Sequence, residues 1–402
     1  MKEQYRLAYL VSHPIQYQTP LLRYIAAQPS IDLTVFFLSD LSIRSYRDSG
    51  FGVPVQWDVP LLGGYKHVFL PSLWKRESIG FWRPFAYGLR RYLRRGRFDA
   101  LWLHGYANQA NLRALAIAKL LGLKVLLRGE SHLNSSGNWL AKRAIKQVVS
   151  RGLFGLIDGF LAIGALNREF YLHFGVPEER IFLMPYAVDN SFFQVRAAEA
   201  VAGRGALRAQ LGLAEDRPII LYAAKFEKRK RAGDLLNAYI RLSADRIREP
   251  RPYLLLVGDG EERPLLESRV KRLGWSSVKF LGFVNQNLLP RYYDLCDVFV
   301  LPSEWEPWGL AVNEAMNAGK AVIVSNHVGA RADLVEDGDN GFVVPVGDVA
   351  LLAERLQMLC ERPETTLAMG RRSRERIAAW NFDADLRGLT QALSAVVDGG
   401  AT

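Results

Sequence analysis

Apolar runs of only four or five residues recur along this chain, each followed by a stretch with helical spacing. Leu7–Val11, Leu33–Phe37, Ala100–Leu103, Val125–Arg128, Gly159–Ile163 and Ile181–Met184 read as strands. Thr19–Ala27, Asn111–Leu121 and Leu140–Leu153 between them read as helices. Such alternation predicts a doubly wound α/β fold, with a parallel sheet covered by helices on both faces. The Ala-, Gly- and Arg-rich stretch Ala197–Gly212 reads as a linker plus one helix, and a second alternating series runs from Ile219 to about Gly370. At 402 residues the chain is long enough for two domains, each with its own core. The expected division is residues 1–190 and 191–380, with a last helix at Ala384–Val397. Two cysteines, Cys296 and Cys360, show no ligand spacing, which favours a reduced, cytoplasmic compartment without a disulfide framework or zinc site. The first strand is too short for a signal-peptide core or a membrane span, and no later run reaches span length without charges.

The richest segment for chemistry is Ser303 to Lys320, SEWEPWGLAVNEAMNAGK. Val298–Leu301 reads as a buried strand stopped by Pro302; Pro307 suits the first turn of a helix, and Gly319 suits its end. Glu306 then lies in the loop and Glu314 on the helix. Unpaired N–H groups around Trp308, Gly309 and Leu310 would suit a diphosphate. Carboxylates beside a phosphate site need another task. Accepting hydrogen bonds from sugar hydroxyls is one, because an ionised carboxylate only accepts. A nucleotide sugar offers both groups. Alternatively, these are ordinary exposed glutamates beside an ordinary helix.

The surrounding pattern resembles the retaining nucleotide-sugar glycosyltransferases of family 4. Glu306-Pro307-Trp308-Gly309-Leu310 and Glu314-Ala315-Met316-Asn317-Ala318-Gly319-Lys320-Ala321-Val322 stand where that family has E-P-F-G-L-x3-E-A-M-A-x-G-x-P-V. Tyr222–Phe226 with Lys230–Leu236, Leu254–Gly260, Val278–Val284 and Val328-Gly329 through Phe342 are similar to further family blocks in the same order. Trp308, Asn317, Ala321, Ala330 and Asp333 depart from the pattern. The resemblance implies the glycosyltransferase-B fold: two Rossmann-like domains facing across a cleft, with residues 381–402 returning to the first. It also implies roles. Glu306 would bind donor-sugar hydroxyls and Glu314 the ribose hydroxyls, while Lys225 and Lys230 would hold the diphosphate and Gly258 would line the nucleotide. Two ammonium groups near the departing diphosphate would stabilise the transition state more than the ground state. A lysine pair within KFEKRKR otherwise reads as a solvated loop, and Lys228, Arg229 and Arg231 read as surface charges.

The first domain is less legible. His13 and Gln16 occupy the loop after the first strand, where relatives carry a pair of glycines. They are candidates for the acceptor or donor wall, as are His104, Arg128 and Glu130 at later strand ends. A structural histidine and a buried salt bridge are the other readings of these residues.

The net charge is confined to this domain. Residues 1–190 carry 24 Lys+Arg against 13 Asp+Glu, and residues 191–402 carry 28 against 28, so the whole +11 lies in the first part. Much of it falls in Trp74–Arg97, where Arg alternates with Trp, Phe and Tyr, and at Lys142, Arg143 and Lys146. That mixture suits an anionic membrane surface or a solvated helix face. No nucleic-acid fold motif accompanies it. The expected protein is a cytoplasmic, peripheral-membrane glycosyltransferase of bacterial surface polysaccharide or glycolipid synthesis. It would move a sugar from an NDP-sugar to a saccharide or lipid-linked saccharide, without a metal or other cofactor. An epimerase of the same fold and a non-catalytic membrane-surface protein are the rivals.

Overall fold

The computed structural model describes residues 2–73, 80–106, 108–133, 150–244 and 251–399. The chain forms two compact units. The first comprises Met1–Tyr46, Val59–Val188 and Asn381–Thr402; the second comprises Arg47–Asp58 and Asp189–Trp380. Residues 47–58 thus go with the second unit, although sequence order suggested the first.

The strands, in chain order, are β1 (Tyr5–Val11), β2 (Ile31–Phe37), the short pair β3 (Tyr46–Arg47) and β4 (Pro54–Val55), β5 (Lys66–Phe69), β6 (Ala100–His104), β7 (Lys124–Arg128), β8 (Gly159–Ala162) and β9 (Ile181–Leu183). The first unit is built on a sheet ordered β5-β2-β1-β6-β7-β8-β9, with parallel neighbours. The middles of its central strands, Leu7–Val11, Ala100–Leu103 and Val125–Leu127, are apolar because both faces are covered, with charged or polar residues only toward the strand ends. Leu7, Tyr9 and Val11 of β1 join one apolar layer with Ile25 and Trp102, while Ala8 and Leu10 join the other with Leu103 and Val125. The helix Phe382–Leu393 closes the first of these layers with Leu389, Ala392 and Leu393. Asn381 caps it by accepting from the Ala384 N–H at 2.9 Å.

The second unit continues with β10 (Ile219–Ala223), β11 (Tyr253–Val257), β12 (Val278–Gly282), β13 (Val298–Leu301), β14 (Ala321–Ser325) and β15 (Gly341–Val344). These form a parallel sheet ordered β12-β11-β10-β13-β14-β15. Chain order reverses between β10 and β13, as it does between β1 and β6 in the first sheet. Ligands of doubly wound sheets bind at the carboxyl ends of strands beside such a switch.

Several elements differ from the expectation. Edge strand β5 escapes sequence reading because it is short, half-exposed and begins with Lys66 and His67. The supposed linker is helical, with Asn190–Ala200 and Arg204–Leu211 joined by a single 3₁₀ turn. The helix expected at Leu140–Leu153 lies mostly outside the described residues, as do Trp74, Lys75, Arg76, Lys142, Arg143 and Lys146. Among the described residues, no helix is long and apolar enough to cross a membrane.

Candidate functional site

In the second unit, the residues singled out from the sequence meet at the carboxyl ends of β11, β10 and β13, three adjacent strands. Pro307 does not open the helix after β13; that helix is Leu310–Asn317, with Gly309 as its cap at φ +102°. The preceding loop is instead clamped sideways. Glu306 N–H donates to the His327 carbonyl at 3.3 Å, Gly329 N–H to the Glu306 carbonyl at 3.0 Å, and Ala330 N–H to the Trp308 carbonyl at 2.9 Å. A Cβ on Gly329 would collide with the Pro307 carbonyl, so the clamp requires glycine there. Three backbone bonds therefore fix where the Glu306 carboxylate stands.

That carboxylate accepts a hydrogen bond from Lys230 Nζ, with both side chains only 12% exposed, and Arg229 Nη1 lies 4.0 Å away. Lys230 ends a 3₁₀ turn, Lys228–Lys230, which Arg231 closes in the left-handed region at φ +56°. Arg229 and Arg231 are thus not plain surface charges: Arg231 Nε reaches Asp234 and Glu304 at 3.5 Å each. Lys225, two residues after β10, pairs with Asp48 at 2.7 Å. Gly258 follows β11, where a Cβ would strike the Ala224 carbonyl, so the strand end stays bare of side chain.

Glu314 sits one turn into the helix and accepts from the Tyr293 hydroxyl at 2.7 Å. It is mostly enclosed by protein, and burial pushes its carboxyl up to about 7 against the pull of that hydrogen bond. An arriving hydroxyl donor would favour its ionised form. Trp308 corrects the expectation for it. Its ring is buried and stacks on Trp380 at 5.1 Å, and its indole N–H donates to Asn313 at 2.8 Å. Only its backbone remains for a ligand. Gly309 and Leu310 keep the expected position at the helix start, where first-turn N–H groups lack intrahelical acceptors.

The first unit gathers a second polar group at the carboxyl ends of β1, β6 and β7. His104 Nε2 lies 3.3 Å from Glu130 Oε1 and 3.1 Å from the Gln18 amide nitrogen, and Tyr9 donates to Gln18 at 2.9 Å. The Tyr186 hydroxyl bonds Glu130 and lies 3.2 Å from that of Tyr17. Burial alone would raise the Glu130 carboxyl, but His104, Tyr186 and the Arg128 charge hold it below its ordinary value. His13 and Gln16 stand half-exposed on the loop after β1, with His13 Nδ1 2.9 Å from Ser12 Oγ.

Arg128 stands behind this group, its guanidinium 5.1 Å from the Tyr186 ring centroid. It is 2% exposed and donates to the Met184 and Pro185 carbonyls and to Asp385 at 3.2, 2.8 and 3.1 Å. It is the buried salt bridge. Asp48, Tyr293, Gln18 and Tyr186 escaped the sequence because each reaches its partner across long chain separations, with no local spacing to betray it.

Comparison with known proteins assigns the second unit. Residues 203–376 match the family model described as "Glycosyl transferases group 1". The chain carries a glycosyl transferases group 1 domain. Alpha-D-kanosaminyltransferase of Streptomyces kanamyceticus is 31% identical over 191 residues, covering 47% of each chain. N-acetyl-alpha-D-glucosaminyl L-malate synthase of Bacillus anthracis is 32% identical over 172 residues, 42% of this chain and 43% of that one. The matched stretch thus spans about half the length of these curated relatives. Among solved structures, sucrose-phosphate synthase of Thermosynechococcus elongatus superposes with a TM-score of 0.72 at 22% identity, covering 99% of this chain and 100% of the other. HepE of Anabaena, in complex with UDP and glucose, gives 0.69 at 17% identity, covering 98% and 100%. These likenesses show the fold, two parallel-sheet α/β domains of the glycosyltransferase-B class. The group 1 domain contains Lys225, Lys230, Gly258, Glu306, Trp308, Gly309, Leu310 and Glu314.

Proposed function

We propose that this protein is a retaining glycosyltransferase that moves a sugar from a nucleoside-diphosphate sugar to an acceptor hydroxyl, in surface polysaccharide or glycolipid synthesis. The observation that carries the proposal is the Glu306–Lys230 pair, held by backbone bonds beside a helix start within the group 1 match. Lys230 and Lys225 neutralise charge that grows on the departing diphosphate, and the first-turn N–H groups add to them. Glu306 accepts from hydroxyls of the transferred sugar, and Glu314 from the ribose. Retention rests on the resemblance to family 4; the departing phosphate takes the acceptor proton as the hydroxyl attacks from the same face. UDP-sugars come first as donors, since HepE of the same fold was solved with UDP-glucose. Relatives named for lipopolysaccharide core and glycosyldiacylglycerol synthesis support a saccharide or lipid-linked acceptor. Relatives named as a kanosaminyltransferase and a lipopolysaccharide core glycosyltransferase favour transfer over epimerisation.

The test is incubation with UDP- and GDP-sugars, with and without saccharide acceptors, in excess EDTA. Acceptor-dependent transfer is expected to persist, because the two lysines supply the countercharge a magnesium ion would bring. Isomerised nucleotide sugar without acceptor would establish the epimerase. Total loss with EDTA, restored by Mg²⁺, would refute the role of the lysines.

The first domain, in this proposal, docks on anionic membrane. Arg90, Arg91, Arg94 and Arg95 project from the helix Leu89–Gly96, whose Leu89 and Leu93 face inward, and Phe81, Trp82, Tyr87 and Tyr92 are exposed. Each arginine near such a surface contributes on the order of 1 kcal/mol, screened by salt. Wild-type protein should co-sediment with phosphatidylserine vesicles at low salt. The fourfold Arg→Gln variant should not, while its UDP affinity stays unchanged. Failure of the wild type to sediment would leave a soluble acceptor as the better choice.

A further inference from the structure

Residues Arg47–Asp58, which belong to the second unit, form a hairpin on strands β3 and β4. The base of this hairpin is clasped. Asn285 Nδ2 donates to the Gln56 carbonyl at 2.5 Å, Asn287 Nδ2 to the Asp58 carbonyl at 2.7 Å, and Asn287 N–H to the Asp58 carboxylate at 3.2 Å. Trp57 and Phe51 both pack edge-on against Phe283, at 5.9 and 4.9 Å between centroids.

Its tip meets the lysine assigned to the diphosphate. Asp48 Oδ1 accepts from Lys225 Nζ at 2.7 Å and from the Gly50 and Phe51 N–H groups at 2.9 Å each. The ring of Phe51 lies 4.9 Å from the same ammonium. Gly50 lies directly against this lysine: a Cβ there would fall 2.6 Å from Lys225 Cδ and against Glu227 Oε1, so both side chains run close along the bare glycine. The carboxylate is also held below its usual range: burial would raise it, but Lys225 and the two N–H groups outweigh burial.

A carboxylate oxygen 2.7 Å from an ammonium occupies a place that a phosphate oxygen would take. An anion arriving at Lys225 must share or displace it, and the cost of displacement is subtracted from its affinity. We propose that Asp48 is a built-in competitor for the diphosphate position on Lys225, and that the hairpin tip releases the lysine when a nucleoside diphosphate binds. This rests on Lys225 being the diphosphate cation. The clasp at Asn285 and Asn287 keeps the hairpin base in place meanwhile, so only residues near 48–51 need move.

Calorimetric titration with UDP, GDP and ADP tests it in four proteins: wild type, Asp48→Asn, Lys225→Ala and the double variant. Asn retains the turn to Gly50 and Phe51 but not the charge. Asp48→Asn should bind the preferred nucleotide about two- to fivefold tighter, the scale of one part-exposed ion pair. The same substitution should change nothing in the Lys225→Ala background, because the contested cation is gone. Unchanged or weaker binding by Asp48→Asn overturns the competitor role while leaving the donor site standing. An equal gain in both backgrounds also overturns it, since the effect would then be a general field. Absence of binding in wild type and Asp48→Asn alike overturns the donor site, and the competitor with it.

Discussion

Glu306→Ala should lower turnover by about 100-fold or more while changing affinity for free UDP or GDP by less than about threefold. The reason is geometric. Glu306 is placed by a clamped loop at the strand end where the transferred sugar is proposed to lie, and Lys230 and Arg229 stand beside its carboxylate. A free nucleoside diphosphate has no sugar hydroxyls for it to accept from. Removing it also leaves Lys230 without that carboxylate, which offsets any loss of nucleotide binding. Glu314→Ala should behave in the opposite way. Its carboxyl, paired with Tyr293 and assigned to the ribose, contributes to any ligand that carries the nucleoside, so affinity should fall about tenfold or more with a smaller effect at saturation. Steady-state rates together with UDP and GDP titration of both variants measure the split. Equal loss of nucleotide affinity in the two would refute the division of labour.

Asp385→Ala should be the most destabilising single change in the first unit, costing about 3–5 kcal/mol. It strands the guanidinium of Arg128, 2% exposed, which cannot shed its charge. It also cuts the polar tie between β7 and the helix Phe382–Leu393. Arg128→Met should cost less, and less at pH 6 than at pH 8. The sign follows from the carboxyl, which burial pushes up to about 7 despite the opposing pull of Arg128. A carboxyl raised in the folded state contributes most stability below its ordinary pKa and loses it as pH rises toward the folded value. Without Arg128 the carboxyl is raised further, so mild acid lets it remain buried and neutral. Urea unfolding of each variant at pH 6 and pH 8, followed by hydrogen exchange in the first-unit strands, measures this. A cost below about 1 kcal/mol for Asp385→Ala would show that the pair is not buried as described.

Much of the fold was legible in the sequence because strand identity is written locally. β13 runs from Val298 to Leu301 as its apolar pattern indicates, and β1, β2, β6 and β7 extend the expected runs by one or two residues. Strands covered on both faces are mostly apolar through their middles, so they stand out from their neighbours. Edge strand β5 and the two-residue strands of the hairpin carry no such constraint, and they were missed. The helices of Asn190–Leu211 were obscured by Gly203 and Gly205, which sequence rules take as breaks.

The candidate site divides along the same line. By itself the sequence determined which residues reach the strand ends of the second unit: Lys225, Lys230, Gly258, Glu306 and Glu314 each follow a recognisable strand or helix start. It did not determine what each one faces. Trp308 carries the same local pattern whether its ring meets a ligand or Trp380, and only packing sends it to Trp380. Arg128 ends a strand as a ligand-binding residue would, yet Asp385, 257 positions away, draws it inward. Lys225 follows β10 at a position recognisable from the sequence, and the tertiary structure alone sets Asp48 against it, across 177 positions. Periodicity reports a residue's place on its own element, since that depends on neighbours a few positions away. Pairing of charges depends on which distant segments the fold brings within a few ångströms, and no local pattern encodes that.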